Sequence, residues 1–292
     1  MNIFAGLDAI VKKDCPLHEY TWYRLGGQAD WLLCPTTTEQ LATVMKRCTE
    51  NDIPIHIMGN GSNLLVSDEG VRGAVIKPGG EIFSKYEFNK DTLTAGAAAD
   101  LQKIVQESVR RGMGGLESLA GIPGTIGGAV KMNAGGRFGD IGTSVHSVQV
   151  MDKQGDIFEK NKPELIFDYR QVNITANVIL AATLQLAEDN PEELLKTVKE
   201  VWIYKKNTQP LDTRNAGCIF KNPRGLSAGV LIDRAGLKGE KIGGAVVSEK
   251  HANFIVTEKG CKSADVKALI KKIQHKVKEQ FDVELELEIE IW

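Results

Sequence analysis

No C-x-x-C pair occurs among the five cysteines of this 292-residue chain (Cys15, Cys34, Cys48, Cys218 and Cys261). An odd number without paired spacing argues against a disulfide framework or a zinc knuckle and fits a reducing compartment. The histidines show no H-x-x-x-H spacing, so no metal site is expected. No apolar run approaches the roughly 20 residues that a membrane-spanning helix needs. Asp8 breaks the apolar part of residues 1–14 and the lysines follow that part, so a secretory leader is not expected. A net charge of -2 leaves no basic excess for a nucleic-acid partner. There is also no Gly-Lys dipeptide, which excludes the Walker loop G-x-x-x-x-G-K-[ST]. Glycine, by contrast, is abundant at 30 residues. Ordered glycine loses much conformational entropy, so the excess needs a local cause.

Periodicity organises the rest. Thr36-Thr37-Thr38-Glu39 is a capping-box pattern, followed by Leu41, Val44, Met45 and Cys48 at helical spacing. Ile53–Met58 and Val71–Ile76 read as strands, with Gly79-Gly80 as a hinge after them. A strand at Thr92–Ala97 precedes a helix capped by Asp100 with Leu101, Ile104, Val105 and Val109 inward. Ser144–Asp152 and Val178–Leu186 are β-rich. Asn190-Pro191 opens a helix whose apolar face is read as Leu194, Leu195, Val198, Val201 and Trp202. Further on come a short helix Ser227–Ala235, a strand Ala252–Val256 and an amphipathic helix Ser263–Phe281. The chain ends in apolar–acidic alternation from Val283 to Ile291, a strand with one buried face. These breaks predict an α+β chain in three parts, 1–78, 79–206 and 207–281, with strand 282–292 packing back near the first.

Two glycine-rich loops carry the binding chemistry. Ile55–Met58 runs into Gly59-Asn60-Gly61-Ser62-Asn63, where backbone N–H groups can approach an anion. A simple turn between strands would explain this segment equally well. Leu64 stands at the third glycine position of G-x-G-x-x-G and no helix pattern follows, which disfavours a Rossmann site. Gly121–Gly136 is the densest glycine region in the chain. So much bare backbone suits a bound dinucleotide held by main-chain N–H groups and not by lysine.

Gly225-Leu226-Ser227-Ala228-Gly229 matches the G-x-S-x-G elbow of serine hydrolases, and Asp233 and His251 follow in the right order. Lys221-Asn222-Pro223-Arg224 before it is no buried strand, so Ser227 is read as a helix cap.

Tyr23-Arg24-Leu25-Gly26-Gly27, Gly59-Asn60-Gly61-Ser62-Asn63-Leu64-Leu65 and Ala120-Gly121-Ile122-Pro123-Gly124-Thr125-Ile126-Gly127-Gly128-Ala129 resemble, in order, the FAD loops of the UDP-N-acetylenolpyruvoylglucosamine reductase family. Met132-Asn133-Ala134-Gly135, Tyr169-Arg170, Ala216-Gly217-Cys218-Ile219-Phe220-Lys221-Asn222-Pro223 and Ser248 with His251-Ala252-Asn253-Phe254 extend the resemblance to the C-terminal part. It implies a vanillyl-alcohol-oxidase-type FAD-binding fold, in which two small α/β units hold FAD non-covalently and an α+β domain binds substrate. It implies NADPH-dependent, FAD-mediated reduction of UDP-N-acetylglucosamine enolpyruvate to UDP-N-acetylmuramate, a cytoplasmic step of peptidoglycan precursor synthesis. NADPH would be a transient hydride donor sharing the substrate channel, which accounts for the missing Rossmann site. The chain is expected to be a monomer, with a UDP-sugar partner and neither nucleic acid nor membrane.

Carried over residue by residue, Arg24, Gly59 to Leu64, Ala120 to Thr125, Gly127, Gly128, Asn133 and Gly135 are expected at the cofactor. Tyr169, Lys221 and Asn222 are expected at the substrate, and Arg170, Cys218 and Glu288 in catalysis. In the reaction that the resemblance implies, hydride from flavin N5 would reach the terminal enolpyruvyl carbon, and negative charge would build at the neighbouring carbon and its carboxylate. Arg170 offers that carboxylate a fixed fork of donors. Cys218 stands where many relatives carry serine as proton donor; a thiol, reference pKa ~8.5, is the stronger acid. Glu288 would polarise the carboxylate or the forming enol, although a register slip would nominate Glu286 or Glu290 instead. Lys205-Lys206 stands where arginine is usual, Gln171-Val172 follow Tyr169-Arg170 without a serine, and no tyrosine-bearing insertion is present. The chain matches the branch without that insertion. The competing readings are a flavin oxidase of the same fold, a Ser227 hydrolase and a nucleotide-sugar sensor. The oxidase reading is weakened because Gly59–Asp68 holds no histidine for covalent flavin attachment.

Overall fold

A computed structural model describes residues 3–292, so Met1 and Asn2 of the N-terminal reading lie outside the described residues. Side-chain caps set the helix starts. The cap read at Thr36–Glu39 falls one residue later: the Thr37 hydroxyl accepts from the Gln40 N–H at 3.2 Å and begins the helix Thr38–Glu50. Asp100 accepts from the Lys103 N–H at 2.9 Å and begins Leu101–Arg110. Each such cap satisfies an N–H that the helix cannot pair itself, typically contributing ~1 kcal/mol.

The described residues form two compact units, one from 3–14, 30–59 and 72–203, the other from 15–29, 60–71 and 204–292. The first has two cores. One joins the helix Thr38–Glu50, through Leu41, Val44, Met45 and Cys48, to Leu33, Ala74, Ile76 and Phe83. A four-stranded sheet has the order Val11–Pro16, Gln28–Leu33, Val71–Ile76, Ile55–Ile57, the last two strands parallel. The other core gathers Leu93, Leu101, Ile104, Ile126, Val148 and Leu184. It is built on a five-stranded sheet ordered Ile157–Asn161, Val145–Met151, Val178–Gln185, Thr92–Gly96, Tyr86–Asn89, every neighbouring pair antiparallel.

In the second unit the helix Ser263–Phe281 buries Val266, Leu269, Ile270, Ile273 and Val277 as one stripe. Full burial of such a side chain contributes ~1.5–3 kcal/mol, so packing holds this helix more than propensity does. The stripe joins a core with Ile219, Phe220, Ile232 and Val247. A three-stranded sheet orders Lys241–Ile242, Ala245–Val247 and Ile255–Thr257.

Four expectations need correction. The strand anticipated at Ala252–Val256 lies at Ile255–Thr257, because 251–254 closes a turn with the Phe254 N–H on the His251 carbonyl at 2.9 Å. The C-terminal alternation is not one uniform strand. Leu287 bridges Phe220, and only Glu290–Ile291 forms a ladder, parallel to Leu64–Leu65. The glycine region 121–136 contains a six-residue helix, Ile126–Lys131, capped by Thr125. On the helix Pro191–Thr208, Leu194 and Val201 are buried but Leu195 and Trp202 are exposed, and Lys205 continues the buried row at 7% exposure. Among the described residues no helix is long and apolar enough to cross a membrane.

Candidate functional site

In the first unit Gly59 reaches the start of the second glycine loop. A Cβ there would sit 2.8 Å from the Thr125 hydroxyl oxygen, which also accepts from the Gly128 N–H at 3.3 Å. Lys77, a residue the sequence reading passed over, donates from Nζ to the Gly59 carbonyl at 2.7 Å. Burial pulls this lysine below its ordinary pKa, and nearby Cys34 opposes that shift. Its signal in the sequence is a lysine directly after the buried strand Val71–Ile76 and just before Pro78-Gly79-Gly80.

The second loop is braced from within. Gln102 accepts from the Gly121 N–H at 2.7 Å and donates to the Leu119 and Ile122 carbonyls at 3.0 and 2.7 Å. The Ile122, Ile126 and Gly127 N–H groups donate to Leu119, Ala99 and Ala97 carbonyls. The expected row of ligand-facing N–H groups is therefore shorter than the glycine count suggested, because the backbone spends them on its own fold. Gly127 is also a packing glycine, since a Cβ on it would lie 2.7 Å from that of Ala97. Gly128 and Gly136 differ. Both are exposed; a Cβ on Gly136 would meet nothing within 4 Å, and one on Gly128 only the Thr125 hydroxyl at 3.5 Å. This open, side-chain-free surface is what a flat cofactor needs for close approach.

Arg170 is the second residue of a two-residue loop between Phe167–Asp168 and Gln171–Val172. Its guanidinium donates from Nη2 to the Gly135 carbonyl at 2.8 Å and from Nη1 to the Asn133 carbonyl at 3.5 Å. It lies 5.1 Å from the Tyr169 ring centroid. Asn133, 4% exposed, accepts from the Gly142 N–H at 3.0 Å and donates to the Asp168 carbonyl at 2.9 Å. The arginine loop and the glycine loop are thus tied together. Arg24, Asn133 and Arg170, all expected site residues, are three of the seven non-glycine residues with left-handed φ among those described, at 56°, 41° and 58°. Such a backbone costs ~1–3 kcal/mol and persists where surrounding contacts enforce it, often at functional sites.

In the second unit Gly61, at φ 62°, lies against the segment carrying Arg24; a Cβ on it would be 2.2 Å from the Tyr20 carbonyl oxygen. A cavity of about 240 Å³ there is lined by Glu19, Tyr20, Thr21, Trp22, Arg24 and Asn60. Asn63 is partly committed, with Nδ2 donating to the Glu288 carbonyl at 3.0 Å, and Leu64 is buried in the ladder to Glu290.

Cys218 and Glu288 lie on neighbouring segments of this unit. The Glu288 N–H donates to the Ile219 carbonyl and the Lys221 N–H to the Glu286 carbonyl, both at 2.8 Å, around the Phe220–Leu287 bridge. Among the four alternating glutamates only Glu288 is half-buried; Glu284, Glu286 and Glu290 are exposed. Glu286 faces the Lys221 ammonium at 3.6 Å. Asn222 accepts from the Ala228 N–H at 3.0 Å, at the start of the helix Ala228–Arg234. Ser227 accepts from the Val230 N–H at 3.4 Å, and His251 Nδ1 accepts from the Asn253 N–H at 3.2 Å. The hydrolase candidates are thus occupied in a cap and a turn. Among the described residues no group of His, Cys, Asp and Glu could hold a metal ion.

Comparison with known proteins agrees with this layout. Residues 29–160 match the family described as FAD binding domain, and 209–292 match the UDP-N-acetylenolpyruvoylglucosamine reductase C-terminal domain. The chain is 41% identical over 283 residues to the UDP-N-acetylenolpyruvoylglucosamine reductase of Clostridium botulinum, covering 95% of this chain and 91% of that one. It superposes on the crystal structure of the Thermus caldophilus UDP-N-acetylenolpyruvylglucosamine reductase with a TM-score of 0.85 at 40% identity, over 97% and 98% of the two chains. The glucose dehydrogenase Phl p 4.0202, at TM-score 0.52 and 11% identity over 65% of this chain and 45% of its own, shares the fold alone. The architecture is the vanillyl-alcohol-oxidase-type FAD-binding fold. On full-length identity and fold together, the chain belongs to the UDP-N-acetylenolpyruvoylglucosamine reductase family of FAD-dependent oxidoreductases.

Proposed function

We propose that this protein reduces UDP-N-acetylglucosamine enolpyruvate to UDP-N-acetylmuramate at the expense of NADPH, in the cytoplasm and as a monomer. The observation that supports the reading is the backbone pairing of the segment that follows Cys218 with the segment of the half-buried Glu288, the two residues assigned to proton delivery and polarisation. FAD would lie on the open backbone at Gly128 and Gly136, where an added Cβ would meet at most the Thr125 hydroxyl at 3.5 Å. Residues 1–78 and 79–206 would hold it, through Arg24, the 59–64 turn and the 120–135 loop, and residues 207–281 would take the substrate. Bound FAD supplies a two-electron relay between nicotinamide and substrate.

The net reaction adds a hydride equivalent to the terminal enolpyruvyl carbon and a proton to its neighbour, while NADPH leaves as NADP+. Arg170, which gives one Nη2 proton to the Gly135 carbonyl and a long Nη1 contact to Asn133, turns its remaining N–H donors to the substrate carboxylate, a charge-assisted contact that strengthens as negative charge grows there. Glu288 polarises the same carboxylate or the forming enol. Cys218 gives its thiol proton to the carbanion, and the thiolate recovers a proton from water. Lys221 and Asn222 meet the UDP moiety, with Tyr169 beside it. Incubation of the purified protein with NADPH and the enolpyruvyl substrate should yield UDP-N-acetylmuramate by mass spectrometry. Unchanged substrate, with FAD fully bound, would refute the reading.

A further inference from the structure

We propose that Asn253 is a positioning residue for proton delivery, acting through the backbone on either side of Cys218. The inference rests on Cys218 being the proton donor. Asn253 is 3% exposed and lies in the tight turn that precedes the strand Ile255–Thr257. Its Oδ1 accepts from the Phe220 N–H at 3.0 Å and its Nδ2 donates to the Phe220 carbonyl at 2.7 Å. Its own carbonyl accepts from the Ile219 N–H at 2.8 Å. The side-chain amide thus pairs with Phe220 as a neighbouring strand would, using one acceptor and one donor together.

On the opposite side the same segment is held by Glu288 and Glu286, whose N–H and carbonyl pair with the Ile219 carbonyl and the Lys221 N–H. Upstream, the Gly217 N–H donates to Oδ1 of Asn215 at 2.9 Å, and Asn215 is itself buried. Gly217, Ile219, Phe220 and Lys221 are therefore all fixed by hydrogen bonds. The direction of the Cys218 side chain, and its place relative to Glu288, follows from that frame. Without Asn253 the buried Phe220 N–H and carbonyl would lose their partners, and the frame would have to shift to recover them.

The test uses the FAD-loaded enzyme and its Asn253→Leu and Asn253→Asp variants. Leucine removes both amide contacts, whereas aspartate keeps the acceptor for the Phe220 N–H but turns a second oxygen toward the Phe220 carbonyl. Bleaching of the flavin absorbance by NADPH reports on a half-reaction that does not need Cys218. Return of the absorbance on adding UDP-N-acetylglucosamine enolpyruvate reports on the half-reaction that does. Bound FAD per chain and the bleaching rate should stay within about twofold of wild type. The return should slow by about 100-fold in both variants, as for a 1 Å misplacement. A return at the wild-type rate, or an equal slowing of both halves, overturns the inference. Should the leucine variant fail to fold, the aspartate variant decides by the same split. Cys218→Ala is measured alongside. If its return is also unimpaired, the reading of Cys218 falls and takes this inference with it. If it alone is slow, only the role of Asn253 falls.

Discussion

Replacing Gly128 with alanine separates two reasons a glycine can stand in this loop. Gly128 lies exposed in the helix Ile126–Lys131, and the added methyl would meet only the Thr125 hydroxyl at 3.5 Å, an ordinary contact. Alanine inside a helix is favoured over glycine by roughly 0.5–1 kcal/mol, so the apo-protein should become more stable by that order. For a chain of this size that corresponds to a Tm increase of about 1–2 °C. If FAD lies against this bare surface, the same methyl overpacks the contact at a cost of about 1–3 kcal/mol. FAD binding should then weaken roughly 5- to 150-fold, since about 1.4 kcal/mol is tenfold. The two effects have opposite signs. Flavin released by acid gives the apo-protein for denaturant unfolding, and titration with FAD followed by flavin fluorescence gives the affinity. A more stable apo-protein with unchanged FAD affinity would refute the assignment of this surface to the cofactor. Gly127→Ala is the contrasting case: its methyl would press on Ala97 at 2.7 Å, so the fold should lose stability whether or not FAD is present.

Further outcomes follow from the same geometry. Cys218→Ala should still be bleached by NADPH yet reduce substrate ~10²–10⁴-fold more slowly, while Cys218→Ser retains activity; unimpaired turnover in the alanine variant would exclude the acid role. Glu288→Gln should slow turnover by ~10²-fold or more, whereas the exposed Glu286 and Glu290 should tolerate the same change, and kcat for the three variants decides the register. Burial pushes the Asp68 carboxyl up, but hydrogen bonds from the Ser263 and Ala264 N–H groups, with Lys267 nearby, outweigh it and leave its pKa below the ordinary value. Its stabilising contribution is therefore complete above the usual carboxylate pKa of ~3.9 and is lost as pH falls through the lower folded value. The stability gap between wild type and Asp68→Asn, read by denaturant unfolding, should close on acidification across that range; a constant gap contradicts it. Ser227→Ala should destabilise by ~1 kcal/mol as a lost cap without altering turnover, and abolished activity would revive a nucleophilic role.

Local signals were the most legible. The helices Thr38–Glu50, Leu101–Arg110 and Ser263–Phe281 begin where caps or polar turns stop and follow their apolar periods. The misread segments depend on distant partners. Asn253 looks like a strand residue until Phe220 claims its side chain, and the terminal alternation changes partners from Phe220 to Leu64–Leu65 within a few residues. On Pro191–Thr208 the apolar residues cover more than one face, so periodicity alone did not show that Leu195 and Trp202 stay exposed while Lys205 turns inward. The candidate site was readable as motifs, but its internal bracing was not. Gln102 and Lys77 carry no motif, and their role arises only when the chain brings them to Gly121 and Gly59. The singling out of Glu288 among four glutamates is likewise a matter of burial, which alternation cannot supply.

The central claim is that a non-covalent flavin on these glycine loops passes reducing equivalents to an enolpyruvyl UDP-sugar. It is tested most directly by NADPH consumption of the purified, flavin-bearing protein with and without UDP-N-acetylglucosamine enolpyruvate. The account predicts a yellow protein that consumes NADPH in step with UDP-N-acetylmuramate formed, and little without the substrate. A protein unable to take up FAD, or one whose NADPH consumption ignores the substrate, would contradict it.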